Sequence, residues 1–341
     1  MKRGLIFPGG GMAQRDMMVV AKEAEAAGFD SLYVTEAWRS AFVPLTALAL
    51  ATERVRIGSY VLNAYGRSPF ITGMSAVDVD ELSGGRLLLG VGSGNRHINA
   101  DWQGVPHEQP YQKMTEYIEN LKQIVRTPAG SRVSYEGEIH RMDWVPAVTP
   151  VRESIPIYLS AIFPRMVRVA GRVADGLAMG ALLSAAYARD VIQPAARKAA
   201  TEADRDPQAL GFLMAAFVSV HTDRENARQA VREAICHLFS PLPHPYYEYL
   251  LREQGFSAAA DAALKYVPEG HIQKAAEAMT DEVVDTLAIA GTPEECRRRL
   301  ADYEGVIDEV IFEPYILDSP QRLSCQYTNA SSFSRYTTPC L

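Results

Sequence analysis

Three side chains in the first hundred residues have the chemistry to move a proton or wall a substrate pocket: Glu36, Trp38 and His97. Glu36 directly follows the short apolar run "SLYVT" (31–35), so it would stand at the end of a strand. There a carboxyl can donate a proton or orient a reactant, or simply cap the loop that follows. Trp38 can line a substrate pocket or fill core. His97 and His107 flank the segment after a later strand-like run, where an imidazole can transfer protons near neutral pH. Tyr111 and Glu116, within "QPYQKMTEYIEN" (109–120), read as structural parts of a helix. No HExxH, paired Cys/His spacing or EF-hand carboxylate ladder occurs, so no metal site is expected. No GxSxG elbow or GK[ST] phosphate loop occurs either.

The elements that must position these groups alternate along the chain. Strand-like runs "RGLIF" (3–7), "SLYVT" (31–35), "VRIGSYVL" (55–62) and "RLLLGVG" (86–92) are separated by helical stretches at 15–28, 44–52 and 69–82. The long helix 109–126 follows. The rhythm resumes with strands at 155–161, 175–180 and 210–220, each leading into a helix. A helix at 292–303, capped by Thr292, then precedes a final strand, "DEVIFEP" (308–314). Aliphatic strands alternating with amphipathic helices imply parallel strands joined by helical crossovers. Eight such strands predict an α/β fold: a (β/α)8 TIM barrel, one domain over residues 1–314. Residues 127–154 read as a hairpin insertion and 240–290 as extra helices, both expected on the catalytic face. The Ser/Thr-rich stretch 315–341 reads as a tail.

The glycine-rich stretch "DELSGGRLLLGVGSGN" (80–95) looks at first like a phosphate cradle. Gly84 and Gly85 instead follow a helix and precede a strand, where a left-handed residue closes the helix. Gly90, Gly92 and Gly94 end the strand with GxGxG spacing, and no helix begins at once, as a dinucleotide fingerprint would need. They are expected to let backbone approach a flat ligand at the barrel mouth.

The formal charge of −7 gives no basic footprint for nucleic acid and no polybasic face for a membrane. No stretch is long and apolar enough for a transmembrane helix, and the opening Met1-Lys2-Arg3 does not read as a signal peptide. The four cysteines are scattered, as free thiols would be. A soluble, cytoplasmic enzyme acting on a small molecule is expected.

Four blocks carry a resemblance: "GFDSLYVTEAWRS" (28–40), "ATERVRIGSYVLNAYGRSP" (51–69), "DELSGGRLLLGVGSGN" and "PIYLSAIFPRMVRVAGRVADGLAMG" (156–180). In this order and spacing they resemble the luciferase-like flavin and deazaflavin oxidoreductases, over roughly residues 3–315. The resemblance implies a (β/α)8 barrel that binds coenzyme F420 or, alternatively, FMN, with F420 favoured. It implies a non-prolyl cis peptide at Tyr60–Val61, supporting the cofactor ring. It places Asn63 at the ring's pyrimidine edge, or as a loop-stabilising amide, and Arg67 at the anionic tail, or in a salt bridge. Gly92, Ser93 and Asn95 would line the cofactor, backbone N–H groups of Ser160, Ala161 and Ile162 would hold its phosphate, and Gly180 would line the same pocket. A homodimer through outer helices is the family's habit.

The chain departs from one pattern. Deazaflavin-linked sugar-phosphate and alcohol dehydrogenases of this family carry Asp-His where this chain has Glu36-Ala37, and Glu where it has Asn95. Lacking that histidine base, the chain is expected to reduce an activated C=C or C=N bond. An FMN-dependent monooxygenase served by a separate reductase is the alternative, and a flavin-binding carrier a third.

Overall fold

The computed structural model describes residues 1–7, 12–240 and 245–315. The glycine run at 8–11 and the tail beyond Tyr315 lie outside the described residues. In chain order the elements begin β1 (Lys2–Phe7), α1 (Gln14–Ala26), β2 (Ser31–Val34), α2 (Phe42–Ala51), β3 (Arg56–Asn63), α3 (Pro69–Leu82), β4 (Leu87–Gly92) and α4 (Pro110–Ile124). A hairpin of β5 (Val133–Glu136) and β6 (Arg141–Trp144) follows, then β7 (Ile157–Ser160), α5 (Pro164–Val173), β8 (Gly176–Met179), α6 (Ala185–Tyr187) and α7 (Gln193–Thr201). The rest comprises β9 (Gly211–Val220), α8 (Arg224–His237), α9 (Pro245–Glu253), α10 (Ser257–Tyr266), α11 (Ile272–Glu277), α12 (Asp281–Leu287), β10 (Ala288–Gly291), α13 (Pro293–Ala301) and β11 (Glu309–Pro314).

The strands run β9-β11-β1-β2-β3-β4-β7-β8, and β8 pairs again with β9. Eight strands in a closed parallel order define a (β/α)8 barrel, the expected fold. β4 shows why the order is parallel: every residue from Leu87 to Gly92 is buried, as a strand covered on both faces must be.

By internal contacts the chain forms two compact units. One comprises Ile6–Ala178 and Pro194–Gly211, and the other the remainder of the described chain. In the first unit, α3 starts at Ser68, whose hydroxyl accepts from Ile71 N–H, with Pro69 in the first turn. It ends through Gly84 and Gly85, at φ +70° and +82°, whose N–H groups bond Glu81 and Asp80 carbonyls, as the sequence implied. Arg86 then reaches back to the Ala49, Thr52 and Val55 carbonyls and fastens α2 to the start of β4. In the second unit, α8 and α12 are joined by Arg228, 2% exposed and paired with Asp281 and Asp285 at 3.0 and 2.8 Å. Thr292 and Glu295 form a reciprocal cap on α13.

Two expectations are corrected. The hairpin β5–β6 hangs from the end of α4, in a helix-to-strand connection, because the crossover helix has already returned the chain from the strand ends. The stretch 240–290 is not helical throughout: its last apolar residues form β10, which pairs with Phe217–Val220 of β9.

Candidate active site

The site is described within the first unit, from the C-terminal ends of β2, β3, β4 and β7. β3 and β4 pair in register from Ile57 to Ser59, shift, and resume at Leu62. The Tyr60–Val61 peptide in that interval is cis, where the resemblance implied it. A Cβ on Gly92 would stand 2.8 Å from Val61 Cγ2 and 3.4 Å from Ser160 Cβ, so the ends of β3, β4 and β7 converge on one spot. Val61 remains half-exposed between buried Tyr60 and Leu62, and Ser93, Ser160 and Ile162 are half-exposed beside buried Ala161.

This geometry gives the glycines another purpose. A Cβ on Gly90 would meet the Ser59 carbonyl oxygen at 2.3 Å, and one on Gly94 would meet Asn63 Nδ2 and Asn99 Oδ1 at 2.9 Å. Gly94 also takes φ +62°. These two positions clear the protein's own strands and amides, a packing reason for glycine that needs no ligand. Gly180 follows β8, belongs to the other unit, and would place a Cβ in open space.

Glu36 receives donors on both oxygens. Its Oε1 accepts from Ala41 N–H at 3.1 Å and from Arg67 Nε and Nη2 at 3.3 and 2.9 Å, and its Oε2 accepts from Asn63 N–H at 3.0 Å. A carboxylate so surrounded acts as an ionised acceptor that fixes its neighbours. Arg67 is accordingly an ion-pair partner that also donates to Ser40 Oγ and lies over the Phe42 ring.

Asn63 is also committed inward. Its Oδ1 accepts from Tyr65 N–H, and its Nδ2 donates to Asn99 Oδ1 at 2.7 Å. Asn99, fully buried, donates from Nδ2 to the Ser93 carbonyl at 2.8 Å and to His107 Nδ1 at 2.7 Å. Asn95 Oδ1 accepts from Ile98 N–H, beginning the π-helical turn His97–Trp102. Sequence reasoning did not single out Asn99. Its neighbours "NRHINADW" have no regular apolar period, so nothing local marks one amide as buried.

Trp38 and Trp102 form an exposed ring pair 5.8 Å apart, 72% and 44% exposed. His97 stands beside them: its Nδ1 meets Asp101 Oδ2 at 2.5 Å, and its Nε2 accepts from the Trp102 indole at 3.0 Å. Glu36, Trp38 and His97 therefore share one unit but not one hydrogen-bond network.

At β7's end, Phe163 gives α5 no side-chain cap and Pro164 opens the helix. The positive end of that helix dipole lies beside Ser160–Ile162. Arg165, in the first turn, stacks over Tyr111 at 4.1 Å and adds a cation that the sequence reading passed over. A half-exposed apolar shelf at Val61 beside a positive helix terminus fits a flat ring carrying an anionic tail. Among the described residues no cluster of His, Cys, Asp and Glu could hold a metal.

The fold is an α/β barrel whose candidate cradle is at the strand ends. The chain matches the luciferase-like monooxygenase family over residues 4–309 and belongs to it. It is 30% identical over 295 residues to 5,10-methylenetetrahydromethanopterin reductase of Archaeoglobus fulgidus, covering 85% of this chain and 86% of that one. It is 31% identical over 224 residues to the F420-dependent glucose-6-phosphate dehydrogenase of Nakamurella multipartita, covering 62% and 66%. Its fold superposes on the coenzyme F420-dependent tetrahydromethanopterin reductase of Methanopyrus kandleri with TM-score 0.78 at 22% identity, covering 91% and 92%.

Proposed function

We propose that this chain is a coenzyme F420-dependent oxidoreductase that reduces an activated C=C or C=N bond of a small organic substrate. The observation that carries the reading is the 31% identity over 224 residues to a relative named as F420-dependent. A reductase among the relatives, at 30% identity, supports the reductive direction. When bound, F420 would supply a hydride from the deazaflavin C5.

The chain's own residues would orient the reactants and handle the proton. Val61, Gly92 and Ser160 would hold the ring, while the first turn of α5 and Arg165 would hold the anionic tail. Glu36 keeps Arg67, the Asn63 backbone and the start of α2 in one arrangement. Trp38 and Trp102 would wall the substrate, and His97, held by Asp101 and Trp102, would pass a proton to it once its Nε2 leaves the Trp102 indole. In this reading the enzyme is a cytoplasmic homodimer with one barrel domain over residues 1–314.

Parallel titrations with F420 and FMN, followed by quenching of Trp38, Trp102 and Trp144 fluorescence, test the cofactor. Tight binding of F420 with weak binding of FMN is expected. The reverse preference, with oxygen uptake, would replace this reading by an FMN-dependent monooxygenase.

A further inference from the structure

We infer that His107 is a positioning residue whose unprotonated Nδ1 latches Asn99, and through it the ends of β2 and β3 and the loop after β4. The inference takes from the proposed function only that a cofactor binds at these strand ends.

The hydrogen-bond directions follow from the atoms. The Ser93 carbonyl oxygen only accepts, so the Asn99 atom facing it at 2.8 Å must be the amide nitrogen. That nitrogen's second N–H points to His107 Nδ1 at 2.7 Å, which must therefore offer a lone pair. The imidazole is then neutral, with its proton on Nε2. The Asn99 oxygen is left for Asn63 Nδ2, and the Asn63 backbone N–H for Glu36 Oε2. Each bond constrains the next, and Asn99, where they meet, is fully buried.

The ring itself is clamped. His107 stacks on Tyr65, with centroids 4.8 Å apart and planes within 5°. The Tyr65 hydroxyl donates to the Glu108 carbonyl, and Lys113 Nζ lies 4.1 Å from the centre of the Tyr65 ring. The charged and titratable groups around the imidazole favour the neutral form. Burial lowers its pKa below the ordinary histidine value, and the positive charges of Arg96 and Lys113 add to this. Burial and the charge of Glu108 push the Tyr65 phenol up to about 12, so it stays neutral. Glu36 acts on His107 through Asn63 and Asn99, and the Asp101 carboxylate is engaged by His97.

Protonation at Nδ1 would set an N–H against the Asn99 N–H and release the latch. Because the folded pKa is lowered, the latch is intact above the ordinary histidine value of about 6.5. It is lost as the pH falls through the lowered one. His107→Asn presents an acceptor at the δ position that cannot titrate, whereas His107→Phe keeps a flat ring and loses the acceptor.

The first readout is 15N NMR of the histidines in cofactor-free protein, assigned by comparison with His107→Asn. The Nε2–H tautomer at pH 7.5 and a pKa below 6.5 are expected, and an Nδ1–H tautomer would overturn the inference whether or not F420 binds. The second is F420 affinity between pH 7.5 and 5. Wild type is expected to weaken as the pH falls through the pKa read by NMR, His107→Asn to stay within about threefold throughout, and His107→Phe to bind at least tenfold more weakly than wild type at pH 7.5 and to show no further acid loss. An acid loss in His107→Asn equal to that of wild type would refute the latch. Absence of F420 binding in the wild type, with the expected tautomer present, would fault the functional reading and leave the latch standing.

Discussion

Glu36→Gln separates an orienting carboxylate from a proton donor. Glu36 is 13% exposed and Arg67 22%, so solvent screens their 2.9 Å pair only in part. Glutamine keeps one acceptor oxygen and substitutes an N–H donor for the other. If the oxygen stays toward Arg67 and Ala41, the new amide faces the Asn63 N–H and leaves a backbone donor unpaired. That costs about 1–3 kcal/mol, and losing the charge on the Arg67 bond adds about 1 kcal/mol. A destabilisation of about 2–4 kcal/mol is therefore expected in urea unfolding at pH 7.5. In a double-mutant cycle with Arg67→Gln, the pair should show a coupling of about 1–2 kcal/mol. F420 affinity should fall with stability, because Asn63 loses its anchor. The pH profile of kcat should keep its shape, since Glu36 holds its neighbours in place and is not the proton donor. Glu36→Gln with wild-type stability but kcat reduced a hundredfold would refute this reasoning and make Glu36 the proton donor.

Gly94→Ala places a methyl where φ is +62° and both amides stand at 2.9 Å. The left-handed backbone alone costs about 1–2 kcal/mol, and F420 affinity should drop at least fivefold by fluorescence titration. Glu116 is 2% exposed and accepts from the Glu138, Ile139 and His140 N–H groups and from Gln112. Glu116→Ala strands three backbone donors and should cost about 3–5 kcal/mol in urea unfolding, loosening the hairpin before the barrel. Burial pushes the Glu116 carboxyl up, but its hydrogen bonds outweigh this and hold it below the ordinary value. Its contribution is thus present above pH 4.5 and lost as pH falls through the lowered value, a slope that Glu116→Ala should lack. Burial holds the Glu313 carboxyl up at about 7, although the Tyr315 hydroxyl donates to it at 3.2 Å. The folded chain there keeps a proton the unfolded chain has released, so stability falls by up to about 1.4 kcal/mol per unit as pH rises from 4.5 to 7. Glu313→Gln should remove that slope in denaturant melts across the range.

Much of the fold was legible because its devices are local. The Gly84-Gly85 pair, the Thr292 cap and the uniformly apolar β4 each announce their role within a few residues. β10 was not legible: "LAIAG" is a short apolar run with no alternation, and only pairing with β9 makes it a strand. In the site, sequence supplied side-chain types but not their partners. Asn63 and Arg67 have the chemistry to meet a ligand, yet both are satisfied by Asn99 and Glu36, more than twenty residues away. The spacing of Gly90 and Gly94 was visible, but the atoms they clear belong to another strand and to two amides.

The network at the strand ends closes only with this set of side chains. Asn99 must be an amide because it faces an obligate acceptor, a donor and a lone pair at once. An aspartate would repel the Ser93 carbonyl, and a leucine would strand the Asn63 amide and the imidazole. Asn63 must be an amide for the same reason, with Tyr65 N–H on one side and Asn99 on the other. Gly94 must lack a Cβ because both amides occupy its space. Side chains so mutually committed are fixed in place and poorly suited to follow a reacting group. The arrangement therefore suits a reaction whose electrons come from a bound cofactor, with the protein holding the ring and the substrate still. Trp38 and Trp102 are exposed and stand outside the amide network, so on the proposed reading substitutions there would change substrate preference while leaving the latch intact.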